Sequence, residues 1–115
     1  MKSTIRTIII LVLLMVNVNF NTAKAQYVLR KADAQFELFN YATAIKFYEK
    51  AYQKKKSLHA TDRLAQSYSL VKDYQQAEHW YGQLVTMEGA APEATLQYAQ
   101  ALRQNGKYEQ AKAQF

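Results

Sequence analysis

Residues 41–48 read YATAIKFY, residues 74–81 read YQQAEHWY and residues 108–115 read YEQAKAQF. Tyr41, Ala44 and Tyr48 return 33 residues on as Tyr74, Ala77 and Tyr81, then a further 34 on as Tyr108, Ala111 and Phe115. Within each stretch the three residues sit at steps of three and four, which places them on one face of a helix. A period of roughly 34 residues marks an array of helix–turn–helix units rather than a closed globule. Such units bury their apolar faces against neighbours and present a concave surface to a partner.

Working outward, apolar spacing predicts six helices and no strand. The first covers about 26–38, with Ala32, Phe36 and Phe39 at helical steps. The second covers about 41–54, with Ala44, Phe47, Tyr48, Ala51 and Tyr52 on one side. The third runs over about 60–71 (Leu64, Ala65, Tyr68, Val71) and the fourth over about 74–87 (Ala77, Trp80, Tyr81, Leu84, Val85). The fifth opens at Pro92, whose missing N–H would be unpaired there in any case, and runs to about 104 with Leu96, Ala99 and Leu102. The sixth spans 108–115. Asn40, Lys72-Asp73 and Asn105-Gly106-Lys107 punctuate the units, and Asn-Gly is a strong turn dipeptide. Gly89-Ala90-Ala91-Pro92 parts the second unit from the third.

The repeated positions have separate jobs. Ala44, Ala77 and Ala111 are small so that the two helices of a unit can cross closely. A larger residue there would overpack the crossing at a cost of about 1–3 kcal/mol. Tyr48, Tyr81 and Phe115 fill the gap toward the next unit, while Tyr41, Tyr74 and Tyr108 pack back over the turn. Tyr48, Ala51, Leu64, Tyr68, Ala77 and Tyr81 are expected in the core where the first two units meet.

Residues 1–25 read as an export signal. Lys2 and Arg6 precede an unbroken apolar run from Ile8 to Val16, and Ala23-Lys24-Ala25 forms an A-x-A site with cleavage expected before Gln26. The competing reading, a membrane-spanning helix, needs about 20 apolar residues, and Asn17 interrupts the run early. This organisation gives a signal peptide at 1–25 and an array at 26–115, with units at about 26–57, 58–91 and an incomplete 92–115.

The chain has no cysteine, which excludes a disulfide framework, a thiolate zinc site, a thiol-linked lipid anchor and a cysteine nucleophile. Of its 15 basic residues, Lys2, Arg6 and Lys24 leave with the signal, so 12 stand against 9 acidic ones, a net of +3. The basic cluster Lys54-Lys55-Lys56 reads as a solvated turn favouring the negative end of the preceding helix, against an anionic-surface or nucleic-acid patch. A nucleic-acid binder should carry a basic stripe, and here charges are mixed along every segment. His59 and His79, the two histidines, lie 20 residues apart on different units. They supply too few convergent ligands for a metal and read as surface imidazoles. Asp73 and Glu78 fall at a turn and a helix start, where carboxylates suit the helix dipole. Gly82, Gly89 and Gly106 form no phosphate loop. No enzyme signature, cofactor site or metal site is expected.

The pattern over residues 26–115 resembles the tetratricopeptide repeat, an all-α solenoid, here of about two and a half repeats. That motif places small residues at its eighth, twentieth and twenty-seventh positions. Ala32, Ala44 and Ala51 stand there in the first unit, Ala65, Ala77 and Leu84 in the second, and Ala99 and Ala111 in the third. Bulky positions read Tyr41 and Tyr48, then Leu64, Tyr68, Tyr74 and Tyr81, then Leu102, Tyr108 and Phe115. Gln35 replaces the usual tyrosine of the first unit, and Lys31 stands where leucine is common. Some such domains clamp chaperone tails with basic residues on their first helices. The matching positions carry Leu29, Asp33, Glu93 and Gln97, so that clamp is absent.

The resemblance implies a protein or peptide partner in a concave groove lined by the first helix of each unit: Leu29, Asp33 and Phe36, then Asp62, Gln66 and Ser69, then Leu96, Gln100 and Arg103. Later parts of the same chain are an alternative occupant. A second resemblance joins the export signal, the missing lipidation cysteine and residues 27–52, YVLRKADAQFELFNYATAIKFYEKAY. These are similar to the amino-terminal part of large Gram-negative envelope proteins whose repeats precede a β-propeller and an OmpA-type peptidoglycan-binding domain. Together they imply an exported interaction or scaffold module, periplasmic or on the periplasmic face of the outer membrane, and an amino-terminal piece of a larger chain. The competing expectation is an accessory region of an exported enzyme whose catalytic domain lies elsewhere. A third is a repeat protein tethered by a retained signal.

Overall fold

The computed structural model describes the backbone of residues 1–115 and every side chain except that of Val18. Six helices follow in chain order: α1 (Lys2–Glu37), α2 (Tyr41–Lys54), α3 (Leu58–Leu70), α4 (Tyr74–Val85), α5 (Glu93–Gln104) and α6 (Tyr108–Lys112). Each packs chiefly on the next, and the whole measures 64 × 33 × 19 Å. No strand occurs among the described residues, so the fold is all-α with repeated helix pairs.

The helix crossings rest on paired alanines. Ala32 and Ala44, Ala65 and Ala77, and Ala99 and Ala111 are each at most 1% exposed. With almost no surface left exposed at these sites, a longer side chain would overpack the crossing. Around them, Tyr48, Leu64, Tyr81 and Leu84 form a buried core that spans the first two units, with Trp80 at its edge. Tyr52 meets the Trp80 ring edge-on at 4.8 Å. A smaller cluster of Ala99, Leu102 and Ala111 holds the third unit. The two are joined where Gly82 leaves room for the Tyr98 ring, 3.3 Å from where a Cβ would stand.

The three intra-unit turns share one geometry. Phe39, Lys72 and Gly106 adopt φ of 60°, 63° and 76°. The residue after each donates its N–H five residues back: Asn40 to Gln35 O at 2.9 Å, Asp73 to Tyr68 O at 2.9 Å and Lys107 to Leu102 O at 2.8 Å. This is the helix stop in which a left-handed residue lets orphan carbonyls be satisfied. Glycine adopts that conformation without penalty. Phe39 and Lys72 do so against the steric preference of L-residues. Caps fix the helix starts beyond. The Ser57 hydroxyl accepts from Ala60 N–H at 3.1 Å, and the Asp73 carboxylate accepts from Gln76 N–H at 3.2 Å.

Several boundaries differ from those expected. The first helix is not confined to 26–38, because α1 begins at Lys2 and runs through without a break. Asn17 ends the apolar run but not the helix, within which its side-chain amide donates to Leu13 O at 2.7 Å. A polar group satisfied by its own helix in this way costs the helix little. The apolar side chains from Ile8 to Val16 stand exposed, and burial begins at Ala25. By length and composition α1 could cross a membrane, a test that a signal sequence near the amino terminus also passes. Pro92 caps α5 rather than opening it. The sixth helix spans Tyr108–Lys112 rather than 108–115; beyond it the Gln114 and Phe115 N–H groups donate three residues back, to Ala111 O and Lys112 O, in a tighter turn. Tyr68 is half-buried rather than in the core. Its hydroxyl reaches Glu49 Oε1 at 2.5 Å, which keeps the ring at the rim. Tyr108 is exposed instead of packed over its turn.

Candidate interaction groove

Helical spacing puts His59, Asp62 and Gln66 on one stripe of α3, at steps of three and four. Glu93 and Gln97 form the matching stripe of α5, four apart. Between the two stripes lies a cleft of about 470 Å³. Leu58, Leu84, Ala91 and Ala94 give it apolar surface, and Gly89 closes the connecting loop beside Leu58. Gly89 has φ 84°, a conformation that suits glycine. The volume falls within the range of about 300–1,000 Å³ typical of small-ligand sites.

At the α1 edge, three helices meet on one carboxylate. Asp33 Oδ1 accepts the Tyr48 hydroxyl at 2.5 Å and lies 2.8 Å from His59 Nε2. The Tyr48 and His59 rings stand edge to face at 6.3 Å. Burial, then the hydrogen bond to Asp33 and its charge, pushes the Tyr48 hydroxyl far above the ordinary tyrosine range. Burial and the Glu49 hydrogen bond do the same for Tyr68. The Tyr81 hydroxyl is pushed up to about 12, by burial and secondarily by the Asp62 charge. His59 is a surface imidazole, its side chain 44% exposed, hydrogen-bonded at the groove edge to Asp33. Among the described residues no group of three potential metal ligands converges.

The expected groove residues fall in different places. Asp62 and Gln66 line the cleft. Gln100 and Arg103 line a separate, shallower cavity of about 350 Å³ with Gln104 and Tyr108. Asp33 joins the groove edge through His59, while Leu29 and Phe36 pack partly into the core. The Phe36 ring lies under the Arg63 guanidinium at 4.2 Å. Ser69 and Leu96 line neither cavity; Leu96 is exposed. Spacing along the chain does not bring Leu58, Leu84, Gly89, Ala91 and Ala94 onto one cleft with Glu93 and Gln97, because they come from different helices and the loop between them. His59 has a local signal, one helical step before Asp62. Glu93 and Gln97, where a basic clamp would stand, present a carboxylate and an amide instead.

The unit joints carry polar ties as well. Asn105 donates its amide to Tyr74 O at 2.8 Å and to Glu78 Oε1 at 3.3 Å. Lys107 Nζ pairs with Glu78 Oε2 at 2.8 Å. These contacts hold the third turn, at the end of α5, against the start of α4.

A family model described as the tetratricopeptide repeat matches residues 25–53. The match covers the last part of α1 and most of α2, the first helix pair. The repeated alanine crossings and the three identical turns extend the same geometry to the later pairs. Repeats of this kind are typically non-catalytic and bind protein or peptide partners. No curated protein matches the chain.

Proposed function

We propose that this chain is a protein–protein interaction module of a bacterial envelope, with the concave cleft between α3 and α5 as its contact surface. The observation that carries the interaction reading is the cleft itself: convergent polar groups over an apolar floor, in an array whose first unit matches the tetratricopeptide repeat. The envelope reading rests on the charged start, the exposed Ile8–Val16 run and the A-x-A tripeptide. In this reading the module is exported to the periplasm and is the amino-terminal part of a larger peptidoglycan-associated protein.

Site-specific photo-crosslinking in a Gram-negative host tests the contact surface. A crosslinker at Gln97 should yield a discrete adduct, and one at Lys50, exposed on α2, should not. Adducts from Lys50 alone would overturn the groove assignment. Amino-terminal sequencing of periplasmic material tests export, with a mature start at or near Gln26 expected. The competing reading is a retained anchor, since α1 is long and apolar enough to cross a membrane, as a cleaved signal also can be. It would give a full-length, membrane-bound product instead.

A further inference from the structure

Charge distinguishes the cleft from the rest of the chain. The chain has 15 basic residues against 9 acidic ones, yet no lysine or arginine lines the cleft, while Asp62 and Glu93 both do. Among the described residues, neither carboxylate takes part in an ion pair. A third carboxylate, Asp33, stands just beyond His59 at the same edge. Two amides, Gln66 and Gln97, add further acceptors, and Leu58, Leu84, Ala91 and Ala94 form apolar surface beside them.

We infer that the cleft takes a cationic peptide segment: an arginine side chain set against Asp62 and Glu93, with an apolar neighbour on the Leu58–Leu84 floor. The inference rests on the interaction reading above and specifies the chemistry of its partner. Arginine suits the site better than lysine. Its planar fork of five donors can engage a carboxylate and side-chain amides together, and its guanidinium is more weakly hydrated than an ammonium. Opposite charge across a contact steers encounter and rejects partners of the wrong sign. The groove therefore excludes acidic tails.

The test uses the full chain in non-ionic detergent and a short labelled peptide with one arginine between two leucines, followed by fluorescence anisotropy. The arginine peptide should bind, the same peptide with glutamate in place of arginine should bind at least tenfold more weakly, and added salt should weaken binding. The double variant Asp62→Asn, Glu93→Gln should lose at least tenfold in affinity, while Glu37→Gln, an exposed acid outside the cleft, should change nothing. To separate a loss of charge from a loss of fold, a second variant, Asp62→Lys with Glu93→Lys, should reverse the preference toward the glutamate peptide. Equal binding of both peptides, or an unchanged double variant, overturns the inference. If the glutamate peptide binds better to the unaltered chain, the charge assignment fails while the groove reading stands. If no peptide of either charge binds, both fail.

Discussion

The junction between the first two units and the outer side of the third use the same repeat positions with opposite results. Tyr48 and Tyr81 are 0% and 5% exposed, whereas Phe115, one period later, is 79% exposed. Tyr41 and Tyr74 are half-buried, and Tyr108 is exposed. The small partners do not follow this trend: Ala111 is as buried as Ala44 and Ala77. Positions that act inside a unit are satisfied in all three units. Positions that act between units are buried at Tyr48 and Tyr81, where the next helix pair packs on them. In an array, burial belongs to the neighbour as much as to the residue, and stability is close to a sum of such contacts.

The largest expected effect separates these two regions directly. Tyr81→Ala should cost about 3–5 kcal/mol, the range for deleting a large buried aromatic side chain. Phe115→Ala should stay within about 0.5 kcal/mol, as for an exposed site. Urea unfolding of both variants checks this, and equal shifts would break the comparison.

Alkaline pH should come next. The Tyr81 hydroxyl is pushed up to about 12, and those of Tyr48 and Tyr68 are raised in the same direction. An unfolded tyrosine loses its proton near pH 10, so above that pH the native state holds more protons than the unfolded one. Stability from these groups is whole below about pH 10 and falls as pH rises toward about 12. Melting temperatures across that window should drop, and Tyr81→Phe should flatten the slope. A flat profile in the unaltered protein would remove these hydroxyls from the account.

The smallest effect lies in the turns. Lys72 holds the left-handed position that Gly106 holds in the third unit. Lys72→Gly should therefore stabilise by about 0.5–1 kcal/mol, because glycine carries no steric penalty there. Gly106→Ala should destabilise by a similar amount. A loss in Lys72→Gly, measured by thermal melts, would mean that the lysine side chain contributes more than its backbone costs.

The helix pairs were legible because their signals are local. Alanine and aromatic positions at steps of three and four identify each crossing, and the 33- and 34-residue spacing repeats them. The site was less legible because it is assembled across helices. Asp33 meets Tyr48 at a separation of 15 residues and His59 at 26, neither of which is a helical step. The same holds for Asn105, legible as a turn residue but not as the donor that grips Tyr74 and Glu78. The start of α1 differs for another reason: the sequence division at 25/26 follows the signal pattern of residues 1–25, and that segment is itself helical and continuous with the first repeat helix.

Amide hydrogen exchange along the chain tests the dependence of burial on neighbours most directly. Amides of α2, α3 and α4, packed on both sides, should exchange most slowly. Those of α5 should follow, and those from Tyr108 onward should exchange within the shortest labelling times, since an isolated turn of helix is marginal in water. Strong, uniform protection from Tyr41 through Phe115 in the monomer would contradict the account, because the outermost helix would then be as stable as the units that have neighbours.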